Sequence, residues 1–269
     1  MSPLRYPGRM PRPEELLFPT RKERFEDRRK EREQRKLAGE FFDHPTLLAV
    51  GRLVSQGQFE SLEFPISTGK EGGVFRATGP GGYRAVKVYR IGNAIFRRLP
   101  PHALEDLRRE ASVRNYARLV YAWTRREYTT LGRLHEAGVR VPEPYGFLRN
   151  VLVMQFIGVG GLPSPRVRDA VVPDPGAFYA DLSVQLRRMT LVAKLVHGDL
   201  SPYNVLLGED GLPVLIDVAS SVATDHPQAI GLLRRDTSHF ARFLKRLGVD
   251  TSPEELFARA GGNEIPEGG

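Results

Sequence analysis

Two stretches, LVHGDLSPYNVLL from Leu195 to Leu207 and VLID ending at Asp217, constrain this chain more than any others. They place an aspartate, an asparagine five residues later and a second aspartate thirteen residues beyond that, each beside a short apolar run. The spacing fits a loop between two buried strands that aims Asp199 and Asn204 into one cleft, with Asp217 arriving from the end of the next strand. A carboxylate to orient a hydroxyl, with an amide and a second carboxylate to hold magnesium, is the equipment for phosphoryl transfer from ATP. The bland alternative is a solvated turn between strands, because HxD pairs alone are common by chance.

With 269 residues the chain is long enough to bury a sizeable core in two lobes or two small domains. It contains no cysteine, which removes disulfides, thiolate nucleophiles and thiolate metal sites and points to a reducing cytoplasm. The N-terminal MSPLRYPGRMPRPEELL lacks the apolar core of a signal peptide. The most apolar window, Val151 to Leu162, carries Gln155 and three glycines and is too short to span a bilayer, so no membrane partner is expected. A net charge of +8 and a pI near 9.9 favour a polyanionic partner. RNA is the expected one and DNA is not. Part of the excess is local: Arg21 to Lys36 holds nine basic and five acidic residues. That arm reads equally as a solvated, salt-bridged helix or as a segment that orders along RNA. No aromatic-rich RNA-recognition signature accompanies it.

Residues 1 to about 20 are proline-rich and expected to be disordered. His44 to Gln56 has the apolar period of a short amphipathic helix. Strands are expected at Leu62 to Ile66, Gly73 to Ala77 and Tyr83 to Tyr89, the last two joined by a tight turn at Gly79-Pro80-Gly81-Gly82. Helix-compatible sequence runs from about His102 to Ala137, with a break near Ser112 to Asn115. Strands at about Tyr145 to Leu148 and Val151 to Phe156 follow, then GLPSPRVRD reads as a linker. Helices are expected at Ala177 to Val192, Arg235 to Leu247 and Pro253 to Ala260. The fold class this predicts is α+β, with two lobes around a cleft. Its divisions are a basic arm over 1–42, an N-lobe with its leading helix over 43–157 and a helical C-lobe and tail over 158–269.

The loop Ser67, Thr68, Gly69, Lys70, Glu71, Gly72, Gly73 and Val74 lies where the first strand turns into the second. Its glycines let the backbone approach phosphates, although a plain hairpin turn has the same composition. Alternation in the third strand puts Ala85 and Lys87 on one face, where small Ala85 leaves room for an adenine ring. Glu127 falls on the helical stripe of Tyr116, Val120, Trp123, Leu131 and Leu134. A carboxylate there needs a partner, and Lys87 supplies one; an exposed charge beside Arg125 and Arg126 is the alternative. Val151 to Ile157 is expected to form the edge strand and the crossing between lobes. There the main chain of Gln155 and Ile157 would meet adenine, with Met154 at the back wall.

The motifs ISTGKEGGVF, AVKVYR, WTRREYTTL, EAGVRVPEP, VLVMQFIG, LVHGDLSPYNVLL and IDVASSVATDHPQAIGLLRRD resemble the RIO family of atypical serine/threonine protein kinases. HPTLLAVGRLVSQG and the last of those blocks resemble its first subfamily in particular. No winged-helix domain is evident ahead of residue 43, against the second. The resemblance implies a protein-kinase-like RIO fold with a reduced C-lobe that lacks an activation segment. It implies ATP with Mg2+ (or Mn2+), Asp199 as the catalytic aspartate, Asn204 and Asp217 as metal ligands, and Lys87–Glu127 as the phosphate-positioning pair. It further implies transient phosphorylation of Asp217, ATPase activity, autophosphorylation with Ser112 as a candidate site, and the pre-ribosomal small subunit particle and its RNA as partner.

The chain departs from the family pattern at Gly72-Gly73, Gln155, Pro202 and Ala219-Ser220, and none of these removes a catalytic group. Gly198 stands where an ordinary protein kinase has arginine, so a phosphorylated activation loop would find no guanidinium there. Fifty-two residues follow Asp217, too few for an activation segment and a peptide-binding platform. Two other functions fit the motif: an aminoglycoside-type small-molecule phosphotransferase, and a non-enzymatic RNA-binding assembly factor switched by nucleotide.

Overall fold

Residues 41–69, 71–91, 101–111 and 116–265 are described by the computed structural model. The arm before them, Lys70, Ser112 and the last four residues lie outside the described residues. Helix α1 (His44–Ser55) starts where Asp43 accepts the Thr46 N–H at 2.9 Å, with Pro45 in its first turn. It buries Ala49, Val50 and Leu53 against one face of a five-stranded antiparallel sheet. The strands are β1 (Ser61–Thr68), β2 (Gly72–Gly79), β3 (Gly82–Tyr89), β4 (Pro144–Leu148) and β5 (Val151–Gln155), in the order β1-β2-β3-β5-β4. The β2–β3 turn pairs Gly79 with Gly82 and places Gly81 at φ 77°, which glycine adopts without a Cβ penalty.

The alternation expected for β3 is present. Val86 and Val88 join Phe75, Ala77, Val151 and Val153 under α1, whereas Ala85 packs on the opposite side with the second lobe. That opposite side receives α2 (Pro101–Ala111) and α3 (Tyr116–Glu136). Helix α3 buries Val120, Trp123, Glu127, Leu131 and Leu134 as its stripe predicts. Tyr116 is a correction: as the first residue of the helix it is 49% exposed. Strand position is another. β5 is not the edge; it lies between β3 and β4, because β4 hydrogen-bonds to its outer side.

Past β5 the chain enters the second lobe. GLPSPRVRD is structured rather than a plain linker: β6 (Gly158–Val159) and β7 (Leu162–Pro163) form a small hairpin, followed by a 3-10 turn at Val167–Asp169. Helix α4 (Pro175–Arg187) continues into a π-type turn over Arg188–Val192. Short strands β8 (Leu195–Val196), β9 (Val205–Leu207) and β10 (Pro213–Leu215) then carry the motif. β11 (Val222–Ala223), α5 (Ala229–Arg246) and α6 (Pro253–Arg259) complete the lobe around Phe178, Leu182, Phe240 and Leu244. Helix α5 begins six residues earlier than its charged pattern suggested, with the apolar Ala229, Leu232 and Leu233 filling its first turns.

Candidate active site

The loop between β8 and β9 carries Asp199 and Asn204, and β9 pairs antiparallel with β10, so the chain comes back beside them before it reaches Asp217. Asn204 donates its side-chain amide to the Asp199 carbonyl at 2.8 Å and to its carboxylate Oδ2 at 3.1 Å. Ile216 N–H donates to Asn204 O at 3.0 Å, and His197 Nε2 lies 3.1 Å from Ile216 O. Burial pushes the His197 imidazole pKa down, against the pull of Asp199, and its Nδ1 has no hydrogen-bond partner among the described residues. Asp217 itself has φ 59° and ψ 46°, a left-handed conformation uncommon for a residue with a Cβ.

From the sheet, Lys87 reaches across to both acidic partners, with Nζ 2.7 Å from Glu127 Oε1 and 2.6 Å from Asp217 Oδ1. Glu127 is 1% exposed, and the Tyr89 hydroxyl donates to its other oxygen. Burial alone would lower the Lys87 pKa, but Asp217 and Glu127 together hold it well above the ordinary lysine value. Burial would raise the Asp217 pKa, and the Lys87 ammonium overrides it, holding the carboxyl below its usual value. Burial and the Glu127 charge raise the Tyr89 phenol. The ion pair expected from the α3 stripe is therefore formed.

Over this pair the β1–β2 loop closes a tight turn, Gly69 N–H to Gly72 O at 2.8 Å. A Cβ on Gly72 would collide with Val88 O, and one on Gly73 would come 3.0 Å from the Phe75 ring, so the two glycines let the loop lie flat on the sheet. Ser67, Thr68, Gly69, Glu71, Gly72, Gly73, Val74, Lys87, Asp199, Asn204 and Asp217 share one cavity of about 410 Å³. Trp123 and Arg166 also line it, and neither was singled out for the site from sequence. Asn204 and Asp217 offer hard oxygen donors of the kind magnesium takes. Among the described residues no group of three or more His, Cys, Asp or Glu side chains could hold an ion without further ligands. These two residues fit a magnesium ion that also takes phosphate oxygens and waters.

The adenine half of the expected site is arranged differently. Ala85 and Met154 are buried in the same apolar cluster against which Val74 packs, so they do not line the cavity of Lys87, Asp199 and Asp217. Gln155 and Ile157 border a separate cavity of about 640 Å³ beside Arg140 and Asp210. The Gln155 N–H is committed to Glu143 O at 2.8 Å, and Ile157 O accepts from Ser164 N–H at 3.0 Å. Those two main-chain groups are therefore engaged within the chain.

A buried support under the catalytic loop had no counterpart in the sequence reading. Asp236 on α5, 1% exposed, accepts the Gly198 N–H at 2.8 Å, and the neighbouring Arg235 donates to Gly198 O. Burial raises the Asp236 pKa to about 7 in spite of Arg235. Gly198 has φ 76°, and a Cβ there would lie 2.7 Å from Ser220 O and 3.2 Å from His102 Nε2. A side chain at this position would therefore run into α2 and the turn after Asp217.

A parallel-free sheet, a glycine loop over a Lys–Glu pair and an Asp-Asn-Asp cluster between two lobes define the protein-kinase-like class. The RIO domain family profile matches residues 73–256, and the chain belongs to the RIO family, within its Rio1 subfamily of RIO-type serine/threonine protein kinases. It is 38% identical to the RIO-type serine/threonine-protein kinase Rio1 of Haloferax volcanii, over 91% of this chain and 84% of that one. Identity to the Methanocaldococcus jannaschii Rio1 is 34%, covering 91% and 83%. Human serine/threonine-protein kinase RIO1 is 32% identical over 85% of this chain and 41% of its own length. Among solved structures, the Rio2 kinase–ADP/Mg2+–phosphoaspartate complex from Chaetomium thermophilum superposes with a TM-score of 0.60 at 22% identity, covering 80% of this chain and 65% of that one. That likeness supports the fold.

Proposed function

We propose that this atypical kinase uses ATP with magnesium both to phosphorylate serine or threonine, itself included, and to hydrolyse ATP during maturation of the small ribosomal subunit. The observation that carries the reading is Lys87 held between Glu127 and Asp217 in the cavity that Asp199 and Asn204 also line. In this reading the loop from Ser67 to Gly73 covers the phosphates and Lys87 neutralises their charge. The Asp199 carboxylate, kept in place by the Asn204 amide, orients the attacking hydroxyl or water and takes its hydrogen bond. Asn204 and Asp217 hold the ion, which supplies positive charge to the phosphate oxygens.

Asp217 keeps Oδ2 outside its bond to Lys87 and is 38% exposed, which leaves an oxygen able to act as a nucleophile. Its attack on the γ-phosphorus breaks the bond to the bridging oxygen, which leaves with its electron pair on ADP. Water then attacks the aspartyl phosphate, releasing inorganic phosphate and restoring the carboxylate. The Chaetomium Rio2 kinase–ADP/Mg2+–phosphoaspartate complex supports this course by analogy. The net charge of +8 supports ribosomal RNA as the partner, and the absence of cysteine supports a cytoplasmic setting. No helix among the described residues is long and apolar enough to cross a membrane. Multiple-turnover ATP hydrolysis, measured with and without small-subunit precursor particles, tests the reading. Stimulation by the particles is expected; hydrolysis indifferent to them, with transfer to an aminoglycoside instead, would replace it by the small-molecule function.

A further inference from the structure

Arg166 is the cation in the phosphate cavity that the proposed mechanism leaves unused. Its backbone is clamped to the catalytic lobe: it bridges antiparallel to Leu206, Pro165 O accepts the Leu207 N–H at 2.9 Å, and Arg166 O accepts the Asp169 N–H at 2.9 Å. Leu206 lies two residues beyond Asn204, so the clamp fixes Arg166 to the strand that leaves the catalytic loop. The side chain is half-buried and lines the cavity together with Asp199, Asn204 and Asp217. Two cations line that cavity among the described residues, and they differ in their commitments. Lys87 is paired with two carboxylates, whereas no carboxylate lies within ion-pair distance of Arg166 among the described residues. The neighbouring Arg168 is occupied elsewhere, 3.7 Å from Asp169 and 4.3 Å from the centre of the Tyr203 ring.

An arginine held half-buried in a cavity with two aspartates, with no ion-pair partner among the described residues, is placed for an anion that enters the cavity with a cation. We propose that the Arg166 guanidinium binds the terminal phosphate of the nucleotide, opposite Lys87, so that the cleft distinguishes triphosphate from diphosphate. This inference rests on the nucleotide reading of the site.

The test measures equilibrium binding of ADP and of a non-hydrolysable ATP analogue, both with magnesium, to the full chain. Wild type is compared with Arg166→Met and Arg166→Lys, and nucleotide-free melting temperatures confirm that the variants fold alike. Arg166→Met should weaken the triphosphate about tenfold, the size of one charge-assisted contact, while ADP changes less than about twofold. Arg166→Lys should recover part of the loss, because it keeps the charge and loses the fork. An equal loss for both nucleotides, or no loss, overturns the assignment and leaves the nucleotide site standing. If wild type binds neither nucleotide, the nucleotide reading fails and takes this assignment with it.

Discussion

Replacing Glu127 by alanine tests the pair on which the site is built. Glu127 is 1% exposed and receives two bonds, from Lys87 Nζ at 2.7 Å and from the Tyr89 hydroxyl. Its removal leaves a buried ammonium and a buried phenol without their shared acceptor. Loss of one partner of a buried pair costs about 3–5 kcal/mol. Lys87 keeps Asp217 at 2.6 Å, which sets the expectation at the lower end, about 3 kcal/mol. For a chain of this size that is a fall in melting temperature of about 6–12 °C. The double replacement Lys87→Met with Glu127→Leu removes both charges, and buried ion pairs exchanged for apolar side chains are often neutral in stability. It frees Asp217, but at 38% exposure that carboxylate can hydrate. Urea unfolding followed by circular dichroism, without nucleotide, should therefore find Glu127→Ala well below wild type and the double variant recovering most of that loss, short of wild type by the about 1 kcal/mol or more that the Tyr89 hydroxyl costs without its acceptor. A loss below 1 kcal/mol for Glu127→Ala would refute the reasoning. So would a double variant as unstable as the single one, because packing rather than charge would then dominate.

Two further expectations follow from the support beneath the catalytic loop. The Asp236 pKa, raised by burial from 3.8 to about 7, means the folded state holds a proton that the unfolded state has lost across that window. Stability should therefore fall as pH rises from about 4 to 7, by up to ~4 kcal/mol. Asp236→Asn should flatten that slope in urea melts at successive pH values, and an unchanged slope would mean the carboxyl does not titrate there. Gly198→Ala places a Cβ 2.7 Å from Ser220 O at φ 76°, so it should cost at least about 1–2 kcal/mol. A neutral melting temperature would show that α2 and the Ser220 turn yield readily.

The sheet was legible because alternation in Tyr83 to Tyr89 and the Pro80-Gly81 turn are local signals, and the structure reproduces both. The Lys87–Glu127 contact could be inferred from a carboxylate on an apolar stripe, since burial of a lone charge is prohibitive. Strand order was not legible: periodicity says which face of β5 is buried but not that β4 closes its outer side. GLPSPRVRD reads as a linker because its two prolines dominate it, and nothing local marks Arg166 as lining the cavity. Its placement depends on the bridge to Leu206, forty residues away. Asp236 is similar: inside RRD it looks like one more surface charge, and its role appears when α5 packs under Gly198. Ala85 and Met154, expected beside adenine, are buried in the cluster that joins the sheet to the second lobe, a long-range packing that periodicity within β3 and β5 does not reveal.

The most direct test of the account follows the γ-phosphate of labelled ATP, with magnesium, in wild type, Asp199→Ala, Asp217→Asn and Ser112→Ala chains. The account predicts label on the wild-type and Ser112→Ala proteins, loss of label in Asp217→Asn, and loss of ATP turnover in Asp199→Ala. Label and turnover undiminished in both aspartate variants would contradict it.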